Sequence, residues 1–129
     1  MKRLFQHYEG EIQGLIGKEL KNLKSLHDKN DNDVILIWLE SGNSWFRVFI
    51  DGVYCGIDEY ENDESIYDVE GDDDLLIEHK KWVNGMTINK AKVESWVLPE
   101  IKLTLELSSD TKLILKCDKN EFCSLNIIE

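Results

Sequence analysis

Histidine, cysteine and serine are the side chains that most often carry chemistry, and this chain holds few of them in useful patterns. His7, His27 and His79 are scattered. None stands four residues from another or beside a C-x-x-C pair, the spacings by which zinc sites assemble, and no metal is expected. Cys55, Cys117 and Cys123 are an odd number without the dense spacing of a disulfide scaffold. At least one thiol is therefore free or paired with another chain, and reduced cysteines acting as small buried hydrophobes are the simpler expectation. In "SLHD", Ser25, His27 and Asp28 lie close along the chain, but a nucleophile and its base are defined by geometry, and a strand end entering the polar turn "HDKNDND" accounts for them. No glycine-rich phosphate cradle is present. No cofactor is expected, and the chain reads as a non-enzyme.

Carboxylates are the chemistry that remains. "DEYENDESIYDVEGDDD", Asp58 to Asp74, carries ten of them and no Lys or Arg. Of the 26 acidic residues, 16 lie outside this run against 15 Lys and Arg, so nearly all of the net charge of −11 is local. No frame through Asp58 to Glu78 places Gly at the sixth and Glu at the twelfth position of an EF-hand loop. With acids so abundant, no pair of them points to glycoside chemistry. Such a surface repels nucleic acid and anionic membranes and attracts a basic protein. Two readings stay open: a solvated connector, or a surface for a basic partner.

The elements that must hold this run are set by the rest of the sequence. At 129 residues the chain fits one ordinary domain. "MKRLFQHYEGEIQGL" lacks the apolar core of a signal peptide, and nothing approaches a bilayer-spanning length, so a cytoplasmic protein is expected. Residues about 67 or 68 apart suggest an internal duplication, residues 5–60 and 72–129, joined by an acidic connector 58–71. "LIGKEL" faces "VNGMTI", matching Gly17 with Gly85 and Leu20 with Ile88, and "LIWLESGNSWFRV" lies over "LTLELSSDTKLIL". Each half is expected to open with a helix. "DLLIEHKKWV", Asp74 to Val83, has acids before it, lysines at its end and "NG" after it, and Phe5 to Ile16 is its counterpart.

Strands should dominate the remainder of each half. Ile101, Leu103, Leu105 and Leu107 alternate with Lys102, Thr104 and Glu106, the period of a half-buried strand. Asp51-Gly52 between apolar runs marks a hairpin. The fold class is thus mainly β, α+β with minor helix: antiparallel sheets from two tandem helix-plus-β-meander halves, sandwich-like or barrel-like. "VILIWLE" and "WFRVFI" are apolar on both faces. With Leu36, Trp38, Phe46, Val48 and Ile50 turned to the shared core, Ile35, Ile37, Leu39, Trp45 and Phe49 need a cover, either a helix of this chain or another protein. Within the acidic run, "ESIYDVE" reads as a short edge strand.

A small, acidic, mostly β, motif-free chain resembles the immunity proteins of bacterial toxin systems, particularly those of contact-dependent growth inhibition and related polymorphic toxins. The resemblance implies an intracellular antitoxin that binds and neutralises a cognate basic toxin domain, often a nuclease. Its acidic stretch would face the toxin: Asp58, Glu59, Glu61, Asp63, Glu64, Asp68 and Glu70, with Tyr60 and Tyr67 as aromatic anchors. The alternative is a β-rich homodimeric or ligand- or peptide-binding module using the aromatic face of Trp38, Trp45 and Phe49.

Overall fold

Alternation of apolar and polar residues sets most of the architecture. The computed structural model describes residues 1–98 and 100–129. In chain order its strands are β1 (Lys2–His7), β2 (Gly10–Glu11), β3 (Asn22–Asp28), β4 (Val34–Ser41), β5 (Ser44–Asp51), β6 (Tyr54–Tyr60), β7 (Leu75–His79), β8 (Ile88–Ser95), β9 (Ile101–Leu107), β10 (Thr111–Cys117) and β11 (Cys123–Ile128). One four-residue helix, α1 (Glu64–Tyr67), and 3-10 turns at Gln13–Leu15 and Lys81–Val83 accompany them. The strands form two antiparallel sheets, ordered β1-β6-β5-β4-β3-β7 and β11-β10-β9-β8-β2. Their inner faces meet in one apolar core, with Ile37, Leu39, Phe46, Val48 and Ile57 from the first sheet and Val93, Leu103, Leu105, Leu113 and Leu115 from the second. The protein is a mainly β sandwich.

Each sheet is built on a four-strand meander, β3 to β6 and β8 to β11, with one edge strand added from the other half of the chain, and β1 extends the first sheet beyond β6. β7 pairs with β3, and β2 pairs with β8. The crossing is nearly symmetric around an isolated bridge between Glu19 and Thr87. Gly17 N–H donates to Ile88 O and Gly85 N–H to Leu20 O, both at 2.7 Å, while Leu20 N–H donates to Met86 O and Ile88 N–H to Lys18 O, both at 2.8 Å. These bonds exchange with one another when each residue is replaced by the one 68 positions away. Gly17 and Gly85 both hold left-handed backbone, at φ 88° and 89°, where a side chain would be strained.

The two expected opening helices are absent. Phe5 to Ile16 is broken into β1, β2 and a 3-10 turn. Gly10 at φ 130° and the close approach of Leu4 to Gly14 show why those glycines belong to a tight irregular path. Asp74 to Val83 forms β7 and a 3-10 turn instead, because the backbone of Leu75–His79 completes the edge of β3 over five residue pairs. Long-range pairing here outweighs a charge order worth only tenths of a kcal/mol. β4 is turned by one residue from expectation. Ile37 opposes Val48 and Leu39 opposes Phe46, so Ile37 and Leu39 face the core, while Leu36 and Trp38 look outward with Trp45. The hairpin at Asp51-Gly52 forms one residue later, with Asp51 opposite Tyr54 and Gly52 at φ 49°. Cys117 and Cys123, opposed on β10 and β11, are joined in a disulfide, which corrects the expectation of reduced thiols. Cys55 is free and buried.

Candidate partner-binding face

The acidic run is a strap, and its few apolar residues fasten it. Leaving β6, the chain passes over the outer face of the first sheet, makes α1, and returns to the sheet as β7. Ile66 is buried against Leu26, Trp38 and Trp45, with Val69, Leu75, Ile77, Tyr60 and Leu36 around them. Ser65 Oγ accepts the indole N–H of Trp38 at 3.0 Å. That bond satisfies a donor that would otherwise be buried without a partner, at a cost of about 1–3 kcal/mol. A helix of the same chain therefore covers this aromatic face, and "ESIYDVE" is α1 with its C-terminal turn rather than an edge strand. Trp38 is 1% and Trp45 7% exposed, so neither is free to bind a ligand or a second copy.

Asp58 is not part of that outward face. It lies on β6, fully buried, in one cross-strand row between Arg3 and Arg47. Arg3 Nε–H donates to its Oδ1, and Arg47 Nη2–H donates to Oδ2 at 2.8 Å. The bond to Asp58 also raises the Arg3 pKa above its ordinary value. Both guanidinium groups stack near the Phe49 ring, at 5.4 and 5.6 Å from its centroid, and that ring lies across Gly56, leaving no room for a Cβ there. Asp58 is thus a structural anion with its own cations, and its placement among the partner-facing residues is corrected. Sequence reasoning missed Arg3 and Arg47 because 55 and 11 positions separate them from Asp58, and only the strand register brings them together.

The other predicted residues lie along the strap, in two settings. Glu59 is half-buried on β6 and accepts Ser44 Oγ–H at 3.0 Å. Tyr60 is half-buried, packed on the tryptophan cluster with Arg47 over its ring. Glu61, Glu64, Asp68 and Glu70 are exposed, and Asp63 is half-buried. Among the described residues no Lys, Arg or His side chain lies within 4.0 Å of these five carboxylates. Tyr67 is 62% exposed, and the neighbouring charge of Asp63 raises its pKa. An open cleft of about 510 Å³ is lined by Glu59, Tyr60, Glu61, Asn62 and Glu64 together with Met1 and Lys2, the latter paired with Glu59 across β1 and β6. Three carboxylates against the single Lys2, beside one aromatic ring, leave an acidic excess that suits a guanidinium or ammonium group. Asp72 Oδ1 accepts Asp74 N–H at 2.9 Å in the turn before β7. Asp74 O accepts Lys29 N–H at 2.9 Å, so the strap's end adjoins the β3–β4 turn bearing Asp28, Asp31 and Asp33.

The opposite outer face differs in charge. On the second sheet Lys90, Lys92, Lys102, Lys112 and Lys116 stand in rows with Glu94 and Glu106, and the Trp96 ring lies 5.0 Å from Lys102 Nζ. The acidic excess of the strap thus lies over one sheet and these lysines on the other, although the strap's own sheet also carries Lys24 over the Trp45 ring and Arg3 and Arg47 at Asp58.

The serine–histidine contact found among the described residues does not make a nucleophile. Ser25 Oγ and His27 Nε2 are 2.7 Å apart, but Glu78 Oε2 lies 3.5 Å from that same nitrogen, and His27 Nδ1 has no partner among the described residues. In a working triad the acid holds the second nitrogen, and Ser25 is fully buried. Glu78 is instead held by Lys80 at 2.7 Å, whose hydrogen bond lowers the Glu78 pKa. Burial pushes the Cys55 thiol up to about 12, which leaves it protonated and inert. Among the described residues no group of three or more His, Cys, Asp or Glu side chains could hold a metal ion, and no helix is long and apolar enough to cross a membrane. Comparison with protein families, with curated proteins and with solved structures finds no match.

Proposed function

We propose that this protein is a binding inhibitor: an immunity protein that neutralises a cognate basic toxin domain in the cytoplasm through its acidic strap, with no catalytic activity of its own. The observation that carries the reading is the strap's construction. Ile66, Val69 and the Ser65–Trp38 hydrogen bond hold it on the sheet, while Glu61, Glu64, Asp68 and Glu70 are exposed and, among the described residues, have no Lys, Arg or His side chain within 4.0 Å. Covering the tryptophans requires the apolar residues and none of those charges. A row of unpaired carboxylates on an anchored segment is a pre-ordered target for a nuclease's basic groove, and such complementarity raises association rates from about 10⁵–10⁶ to as much as about 10⁸–10⁹ M⁻¹s⁻¹ at low salt. Exposed Tyr67 and the cleft beside Tyr60 supply aromatic surface at the centre of that row. The Cys117–Cys123 disulfide is the feature least at home in a reducing compartment.

The reading expects a basic toxin-like protein to be encoded beside this gene, and the test is stopped-flow association with that protein over a salt series. It uses the native chain and a quadruple variant, Glu61→Lys, Glu64→Lys, Asp68→Lys and Glu70→Lys. The native rate should fall steeply with salt, and the variant should lose both the fast rate and most of the salt slope. Co-expression of the native chain should also rescue growth. Equal rates for the two proteins, or binding indifferent to salt, would reject the acidic face as the docking surface.

A further inference from the structure

The near-symmetry of the two meanders exposes a difference at their far edges. In the first sheet the edge of β6 is covered by β1, which pairs with it from Lys2 to His7. The corresponding strand of the second sheet is β11, the last strand in its sheet, and nothing among the described residues pairs with its outer side. Cys123 N–H points away from β10, donating to Asp33 Oδ1 at 2.7 Å. Strand alternation then directs the N–H and C=O groups of Leu125 and Ile127 outward as well.

Charge separates this edge from the other three. β1 carries Lys2 and Arg3, β2 carries Glu11 and β7 carries Glu78, whereas β11, "CSLNII", has no charged residue and no proline. Charged residues are the ordinary guard on an open edge. A two-fold contact sets the residues on its axis against their own copies and exchanges the others in pairs, and two chains of net charge −11 repel one another, so of the four edges the uncharged one opposes self-pairing least. We propose that β11 is a self-association edge. It takes β11 of a second copy, antiparallel and centred on Asn126, to make one continuous sheet across the dimer. In that register Leu125 of each copy exchanges backbone hydrogen bonds with Ile127 of the other, using the free outward groups and leaving Cys123 with Asp33. Asn126 faces its own copy at the centre, in a close non-hydrogen-bonded pair.

Sedimentation equilibrium from low micromolar to millimolar protein tests this. The native chain should dimerise, and more tightly as salt rises, because screening relieves repulsion between two anionic copies. That sign is opposite to the one expected for a basic toxin, so the two interactions are separable. Asn126→Asp and Asn126→Lys each place like charges opposite one another and should each weaken the dimer about fivefold. Asn126 is exposed, and unchanged thermal melts will confirm that both variants fold. An equimolar mixture of the two should restore dimerisation through the opposite-charge pair. A native chain that stays monomeric throughout, or a mixture no tighter than either variant alone, would overturn the proposal.

Discussion

Replacing Ile66 by alanine tests whether the strap is held as the structure indicates. Ile66 is 2% exposed, and α1 spans only Glu64–Tyr67, too short to persist without tertiary support. Truncation removes three buried carbons, about 2.4 kcal/mol at about 0.8 kcal/mol each. A residual cavity beside Trp38 and Trp45 would take the cost toward the usual range of about 2–5 kcal/mol. Because the sandwich core lies on the other face of the sheet, the loss should be local. At about 1.4 kcal/mol per factor of ten, amide exchange in the strap should accelerate about fiftyfold. Tryptophan emission should shift to the red as water reaches Trp38 and Trp45. Exchange in β9 and β10 should stay unchanged. Mass-spectrometric hydrogen exchange resolves these segments. Uniform acceleration across the chain, or none in the strap, would refute the reasoning.

The buried groups yield two further expected outcomes. Asp58→Asn leaves Arg3 and Arg47 without their shared anion and should cost about 3 kcal/mol, the lower end for a broken buried pair since both guanidinium groups keep contact with water. A drop in Tm of about 10 °C in calorimetry would agree with that, and an unaltered Tm would show that Asp58 does not hold the row. The seven-residue loop closed by Cys117 and Cys123 limits the bond's chain-entropy contribution to about 2.4 kcal/mol. Reduction should therefore lower stability by about that amount without unfolding the sandwich, and thiol titration should find no reactive cysteine in the native oxidised protein and one, Cys55, after denaturation. Collapse on reduction would contradict the loop arithmetic.

What the sequence made legible was whatever depends on near neighbours. The alternation in Ile101 to Leu107 placed β9 correctly, and the match of Gly17 with Gly85 located two turns of equal backbone conformation. The unusual two-faced hydrophobicity of "VILIWLE" signalled that something covers the sheet. Misreadings arose where long-range pairing decides. Charge order favoured a helix at Leu75 to His79, but an open edge of β3 captured that segment as a strand. Leu36 and Trp38 were expected to face inward and do not, because a one-residue slip exchanges the two faces of a strand, and both faces of β4 are apolar. "ESIYDVE" reads as an edge strand by its β-branched residues, and only the three-residue spacing of Ile66 and Val69 hinted at the helical turn that the structure has there. Asp58 had no local signal, since its cations come from β1 and β5.

The division of labour within the strap bears most directly on function. A cover for Trp38 and Trp45 needs apolar contacts at Ile66 and Val69 and an acceptor at Ser65, and polar residues of either sign could fill the solvent-facing positions between them. Mixed charges there would avoid self-repulsion, which opposes the compact state. Instead every charged residue from Glu59 to Asp74 is acidic, the adjoining β3–β4 turn adds Asp28, Asp31 and Asp33 against Lys29 alone, and the lysines of the second sheet lie on the far side of the sandwich. A basic molecule approaching this dipole is turned to meet the strap first. Under the inhibitor reading the repulsion within the strap is relieved when the partner binds, so the complex gains from the same charges that burden the free protein.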